Sequence, residues 1–361
     1  MTSREDSNKE DVAKQSSASW PAVSWKEIRD HLVGRLMMDE EWIVDTPNQL
    51  VWWPSPLPVS VRVVEQGSFP GSTENWIQVS ASTRIAVVEE ELGRELACDL
   101  NNRFRVGALV YLEDSLHLIT NYAFNPRNRS LLAWFHQAIL IQASTALDLV
   151  GEVSHIKGVE IPSIQHPTSG ERFDVDELVD IYGTEQLNFD VDEGVEEQFE
   201  LIRSQIAEFF LGNGYQLGFS NDEVDFFNLG FDSDDPDALL DGAFDCAVGF
   251  MRGTILERKL GPSLLIKARV LPLGVYFMED EVTRANEALC KFVGTSLFGY
   301  VSGPEMEDDG SCLWSVVPHL TLAEWSKLGP RAFRDSVVNA IVHVTAAAKT
   351  LRRDFVGIDW P

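Results

Sequence analysis

Seven histidines, His31, His117, His136, His155, His166, His319 and His343, are the first residues to weigh. An imidazole can hold a metal or move a proton near neutral pH. No two of them stand at metal-ligand spacing on one helix face. His136 and His343 each interrupt an apolar helical run, where a hydrogen-bonded, partly buried histidine is the simpler expectation. The four cysteines, Cys98, Cys246, Cys290 and Cys312, are far apart, form no C-x-x-C pair and precede no catalytic signature. They read as buried reduced thiols of a cytoplasmic protein. Gly212-Asn-Gly214-Tyr-Gln-Leu-Gly218 follows a helical pattern instead of opening one, so it lacks the helix N-terminus that a phosphate site needs. The acidic run Asp232-Ser-Asp234-Asp235-Pro-Asp237 fails as a calcium loop. Pro236, Asp237 and Ala243 occupy the places that require an oxygen ligand, a glycine and a glutamate. A G-x-S-x-G elbow and a Walker lysine loop are both absent, and paired carboxylates are too common here to discriminate. No catalytic, cofactor-binding or metal-binding residue is assigned, and the expectation is a protein that is not an enzyme.

What stands out instead is aromatic residues in strand-like runs: Trp42, Trp52, Trp53 and Trp76 in the first half, and Phe226, Phe227 and Trp314 in the second. Neighbours in a strand point to opposite faces, so Trp52 and Trp53 cannot share one core. Either each face is covered and all are packing, or one face keeps an apolar surface for a partner segment. Trp42, Trp52, Trp53 and Trp76 are the candidate peptide-binding residues.

Charge narrows the partner. Fifty-seven Asp+Glu against 29 Lys+Arg give a net charge of −28. Such a surface repels nucleic acid and anionic lipid, and suits a basic or apolar protein client. Residues 171–245 hold 22 Asp+Glu and 2 Arg, so most of the excess lies in the middle of the chain. The first residues lack an apolar signal-type stretch, and no run approaches a membrane span, so a cytoplasmic protein is expected.

The elements that must position these residues read as two similar halves. Residues 1–19 are polar and read as a disordered tail. A first domain, 20–152, begins with Trp25, Ile28, Leu32, Val33 and Leu36 at helical spacing. Strand-like runs follow at Trp42–Asp45, Gln49–Trp53, Val59–Glu65 and Asn75–Ser80, then a helix from Val88 to Asn101. Strands at Val106–Leu112 and Leu116–Phe124 flank the turn Glu113-Asp114-Ser115, and a long apolar helix runs from Ser130 to Val150. Residues 153–192 read as an acidic, Pro-punctuated linker with one short helix at Asp174–Tyr182. A second domain, 193–361, repeats the order. Its first helix sets Phe199 over Trp25 and Phe210 over Leu36, and a constant offset of 192 joins Cys98 to Cys290 and Gly107 to Gly299. Strands are expected at Val224–Phe231, Ala243–Met251 and Ser263–Leu271. A helix at Val282–Phe292 follows, then strands at Phe298–Gly303 and Cys312–Leu322 and a closing helix around Ala340-Ile-Val-His343.

The order helix, three strands, helix, two strands, helix resembles the type III secretion chaperone-like fold. The stretch Leu100-Asn-Asn-Arg-Phe-Arg-Val-Gly-Ala-Leu-Val-Tyr-Leu-Glu-Asp-Ser-Leu-His-Leu-Ile-Thr-Asn-Tyr122 is similar to YbjN-like proteins. The resemblance implies an α+β fold of two α-β-β-β-α-β-β-α units, each with an antiparallel sheet packed by helices. It also implies a non-catalytic chaperone-like function, with an extended peptide or protein client and no cofactor. Two copies in one chain would act as an internal pseudo-dimer within a monomer. Two alternatives stand beside it: an acidic immunity-type protein that masks a basic toxin surface through residues 171–245, and an enzyme whose site is assembled from scattered residues.

Overall fold

The computed structural model describes residues 23–68, 75–101, 107–125, 132–183 and 204–209. It also describes the segments 226–229, 246–250, 264–270, 279–290, 299–301 and 312–317, and eight positions between 338 and 351. The first helix, α1 (Trp25–Arg35), begins where Ser24 accepts the Glu27 N–H on its hydroxyl at 3.2 Å, which satisfies one orphan donor of the first turn. It ends without a glycine. Met37 takes φ +45° so that the Met38 N–H can donate back to the Val33 carbonyl at 3.2 Å, and Met38 then buries itself.

Four strands follow, β1 (Ile43–Thr46), β2 (Gln49–Trp52), β3 (Val59–Ser68) and β4 (Asn75–Val87). The expected order had three before the second helix. The difference is a tight hairpin at Pro47-Asn48 that pairs β1 with β2, with Ile43 opposite Trp52 and Thr46 opposite Gln49. After helix α2 (Glu90–Asn101) come β5 (Ala108–Leu112) and β6 (Ser115–Phe124), then helix α3 (Leu132–Val153). All neighbours are antiparallel, in the order β1-β2-β3-β4-β6-β5. The β5–β6 turn puts both Glu113 and Asp114 at positive φ (+49° and +60°), the backbone that matches the strands' twist. Gly107 is fixed by geometry: φ is +79°, and an added Cβ would lie 3.2 Å from the Ile119 carbonyl oxygen.

One face of this six-stranded sheet carries the core. Ile28, Leu32, Trp52, Val61, Val79, Tyr122, Phe124, Phe135 and Ile139 form one cluster between α1, α3 and the sheet. Leu96, Leu100, Leu109, Leu118, Ala146 and Leu149 form a second beneath α2 and the far half of α3. Tyr122, Phe124 and Phe135 meet edge-on and stacked, with centroids 4.4 to 6.2 Å apart. Residues 138–146 of α3 are buried without interruption, as its all-round apolar pattern requires. Gln142 sits among them, fully buried. Its amide donates to the Leu118 carbonyl at 3.1 Å and to the Thr83 hydroxyl at 3.4 Å, while its oxygen accepts from the Thr120 hydroxyl.

A second sheet of five antiparallel strands has the order β10-β11-β9-β8-β7. Its members are β7 (Phe226–Leu229), β8 (Cys246–Phe250), β9 (Leu264–Arg269), β10 (Gly299–Val301) and β11 (Cys312–Val317). Helix α5 (Glu279–Cys290) lies between β9 and β10 in sequence. Residues 204–209 are helical ahead of β7, and the described positions from 338 to 351 are helical after β11. The pairing of Phe199 with Trp25 and of Phe210 with Leu36 lies outside the described residues. Cys290 ends α5 and Gly299 opens β10, while Cys98 lies in α2 and Gly107 directly precedes β5. The two halves meet through these same elements. Arg94 Nη1 of α2 lies 3.4 Å from Glu287 Oε1 of α5, and the Thr283 hydroxyl donates to the Arg94 carbonyl at 3.4 Å.

Candidate peptide-binding residues and the segment that covers them

Two strands and a turn place the four tryptophans. Trp52 closes β2 with its side chain on the helix-covered face, and only 1% of it is exposed. Its indole N–H has no acceptor among the described residues. Trp53, one residue on, points to the other side, as strand alternation demands. It is 5% exposed all the same. Its cover comes from residues 160–176, within the segment expected to be a linker.

That cover is a small polar and aromatic assembly. The Trp53 indole N–H donates to the Ile164 carbonyl at 2.9 Å. The His166 ring stands edge-on to Trp53 and to Trp42, with centroids 4.7 and 5.9 Å away. Nδ1 of His166 faces the backbone N–H groups of Ser169 (3.1 Å) and Thr168 (3.4 Å) and accepts from them. The proton therefore sits on Nε2, directed at the Ile43 carbonyl 3.3 Å away. Arg172 completes the lid. Its guanidinium donates to the Trp53 carbonyl, lies 5.0 Å from the Trp42 ring centroid, and pairs with Asp174 at 3.4 Å and Asp176 at 3.8 Å. A buried cation with this many partners holds its segment in one place. The Asp176 N–H donates to the Pro54 carbonyl at 2.6 Å, and Glu160 and Val87 exchange backbone hydrogen bonds at 2.8 and 2.9 Å. Helix α4 (Glu177–Gly183) then packs on α3 and buries Val179. The short helix expected at Asp174–Tyr182 thus begins a turn later, where the Asp176 carboxylate caps it by accepting the Leu178 N–H at 3.1 Å.

Trp42 and Trp76 keep part of their surface open. Trp76 lies opposite Gly67 across β3 and β4, and its ring would stand 3.2 Å from any Cβ placed there. A side chain at that position would crowd the indole, which would have to give by a few tenths of an ångström. The four tryptophans therefore do not form one surface: Trp52 is in the core, Trp42 and Trp53 share the lid, and Trp76 lies along the β3–β4 ribbon. Phe226 and Phe227 lie in β7 and Trp314 in β11, in the second sheet.

Elsewhere, His136 meets a partner that the spacing of the sequence does not show. Its Nδ1 lies 3.2 Å from Nε2 of His31, so one ring donates to the other between α3 and α1. Burial, with Arg35 nearby, holds the His31 imidazole below its usual 6.5. His117 on β6 is also held low, by burial first and then by Arg84, which stands directly across from it on β4. Among the described residues no three His, Cys, Asp or Glu side chains converge as metal ligands. Cys98 is buried. No described helix is long and apolar enough to cross a membrane. No family model, curated protein or solved structure matches this chain.

Proposed function

We propose that this chain is a non-catalytic, chaperone-like protein that binds an extended peptide or protein segment in the cytoplasm. In this reading it is built from two tandem units of the type III secretion chaperone-like, YbjN-like kind. The observation that carries the reading is topological. The order β2-β3-β4-β6-β5 of the first sheet has the same pattern as β7-β8-β9-β11-β10 of the second, and a helix enters each sequence between the third and fourth of these strands. The contact between halves supports it as well. Arg94 of α2 meets Thr283 and Glu287 of α5, and Cα atoms of β5 and β10 approach within 8 Å. Equivalent elements facing one another are what a two-fold dimer interface becomes when its subunits are joined. The client contacts in this reading fall at two separate places, Trp42 and Trp76, the two candidate tryptophans that keep open surface.

The test is suppression of aggregation of a reduced, unfolding model client by the intact protein, compared with Trp42→Ser and Trp76→Ser. Suppression at near-equimolar ratio that either variant weakens is the expected result. A protein that leaves the client's light scattering unchanged overturns the reading.

A further inference from the structure

A second surface lies on the covering segment itself. Phe173 is 81% exposed, Val175 36% and Ile181 38%, three large apolar side chains within nine residues. Single exposed apolar residues are ordinary, but a run of them headed by an aromatic is not. Nor is this a loose loop. Arg172, immediately before Phe173, is clamped between the Trp53 carbonyl and the Trp42 ring. Asp176 is tied to Pro54, and Val179 is 1% exposed. The backbone is fixed on both sides, so these side chains are presented to solvent at little further cost in ordering.

Charge then selects the occupant. Glu171, Asp174, Glu177 and Asp180 are all exposed in the same stretch, and its one base, Arg172, is buried against Asp174 and Asp176. We propose that Phe173, Val175 and Ile181, interspersed in sequence with these carboxylates, dock a basic protein segment in which Lys or Arg alternates with apolar residues. The apolar contacts would supply affinity, and the charges would supply on-rate and choice of partner. A second copy of this chain, itself at −28, is the wrong partner electrostatically. The proposal uses neither Trp42 nor Trp76 as a docking residue, so it does not depend on the tandem-unit reading.

The experiment measures anisotropy of a labelled peptide alternating Lys and Leu, titrated with the intact protein. A peptide of equal charge alternating Lys and Ser serves as the control. Binding of the Lys/Leu peptide should weaken about tenfold in Phe173→Ser, and by a smaller factor in Val175→Ser, while the Lys/Ser peptide binds more weakly throughout. Both residues are exposed, so the melting curves of the variants should match the parent. Equal binding of the two peptides means attraction to bulk negative charge and overturns the proposal. So does an unchanged affinity in both variants, or a dimer in sedimentation that Phe173→Ser dissolves. Trp76→Ser should leave this binding unchanged, which keeps the outcome distinct from that of the aggregation assay.

Discussion

Trp52 and Trp53 are adjacent, both nearly inaccessible, and buried for different reasons. Trp52 is enclosed by the regular core, between two helices and the sheet. Trp53 is enclosed by a non-helical stretch of chain fastened through one arginine, one histidine and a few backbone hydrogen bonds. Core burial is cooperative with the whole fold. Lid burial depends on the contacts of one segment that lies outside that core. A buried aromatic is therefore not by that fact part of the core.

The sharpest way to break the comparison is to truncate each indole in turn. Trp52→Ala should cost about 3–5 kcal/mol of global stability in urea unfolding, the usual range for a large side chain lost from a packed core. Trp53→Ala should cost less than half of that; equal losses would mean that the lid unfolds with the core. Gln142→Leu probes the polar contact inside the core. It leaves the Leu118 carbonyl and the Thr83 and Thr120 hydroxyls without their partner, at a cost of about 1–3 kcal/mol in the same assay. Arg172→Ala tests the lid. Its global cost should be about 1 kcal/mol, but limited proteolysis should cut residues 160–176 faster than in the parent, because local opening sets that rate.

Two smaller effects sharpen the picture. Met37→Gly removes a side chain from φ +45° at the end of α1, where Met37 is 74% exposed, and should raise stability by about 0.5–1 kcal/mol. Acid should act through His31 and His117, both held below the usual 6.5 in the fold. The unfolded chain then takes up protons first. Stability from these two groups is intact above 6.5 and declines as the pH falls below it. His31→Gln should flatten part of that decline in urea midpoints followed against pH. An unchanged profile would show that the His31–His136 pair carries none of it.

Much of the fold was legible because periodicity reports a single local choice. Trp25, Ile28 and Leu32 at helical spacing gave α1, the alternation of Asn75–Ser80 gave β4, and the apolar run after Ser130 gave α3. The β1–β2 hairpin shows in the sequence as two runs but not as a pair, since nothing local says that two short runs pair with each other. The candidate site was legible only in its residue types. Alternation showed that Trp52 and Trp53 must part, but what covers Trp53 comes from His166 and Arg172, more than a hundred residues away. The signal that could have found it was Arg172, one of only 2 bases in the acidic stretch 171–245. A lone cation there needs a reason, and the Trp53 carbonyl and Trp42 ring supply it.

By itself the sequence determined the net charge, the helices and strands whose pattern repeats within a few residues, and the opposition of two neighbouring indoles. Those follow from composition and from the 3.6- and 2-residue periods of the backbone, which any short stretch carries within itself. Only the tertiary structure decided that residues 160–183 belong to the first sheet's surface, that His136 meets His31, and that Phe173 is left outside while Trp53 is shut in. Each of these joins residues distant in sequence or sets one side chain against a surface built from several elements. Such choices are made by packing and buried hydrogen bonds, which no local pattern records.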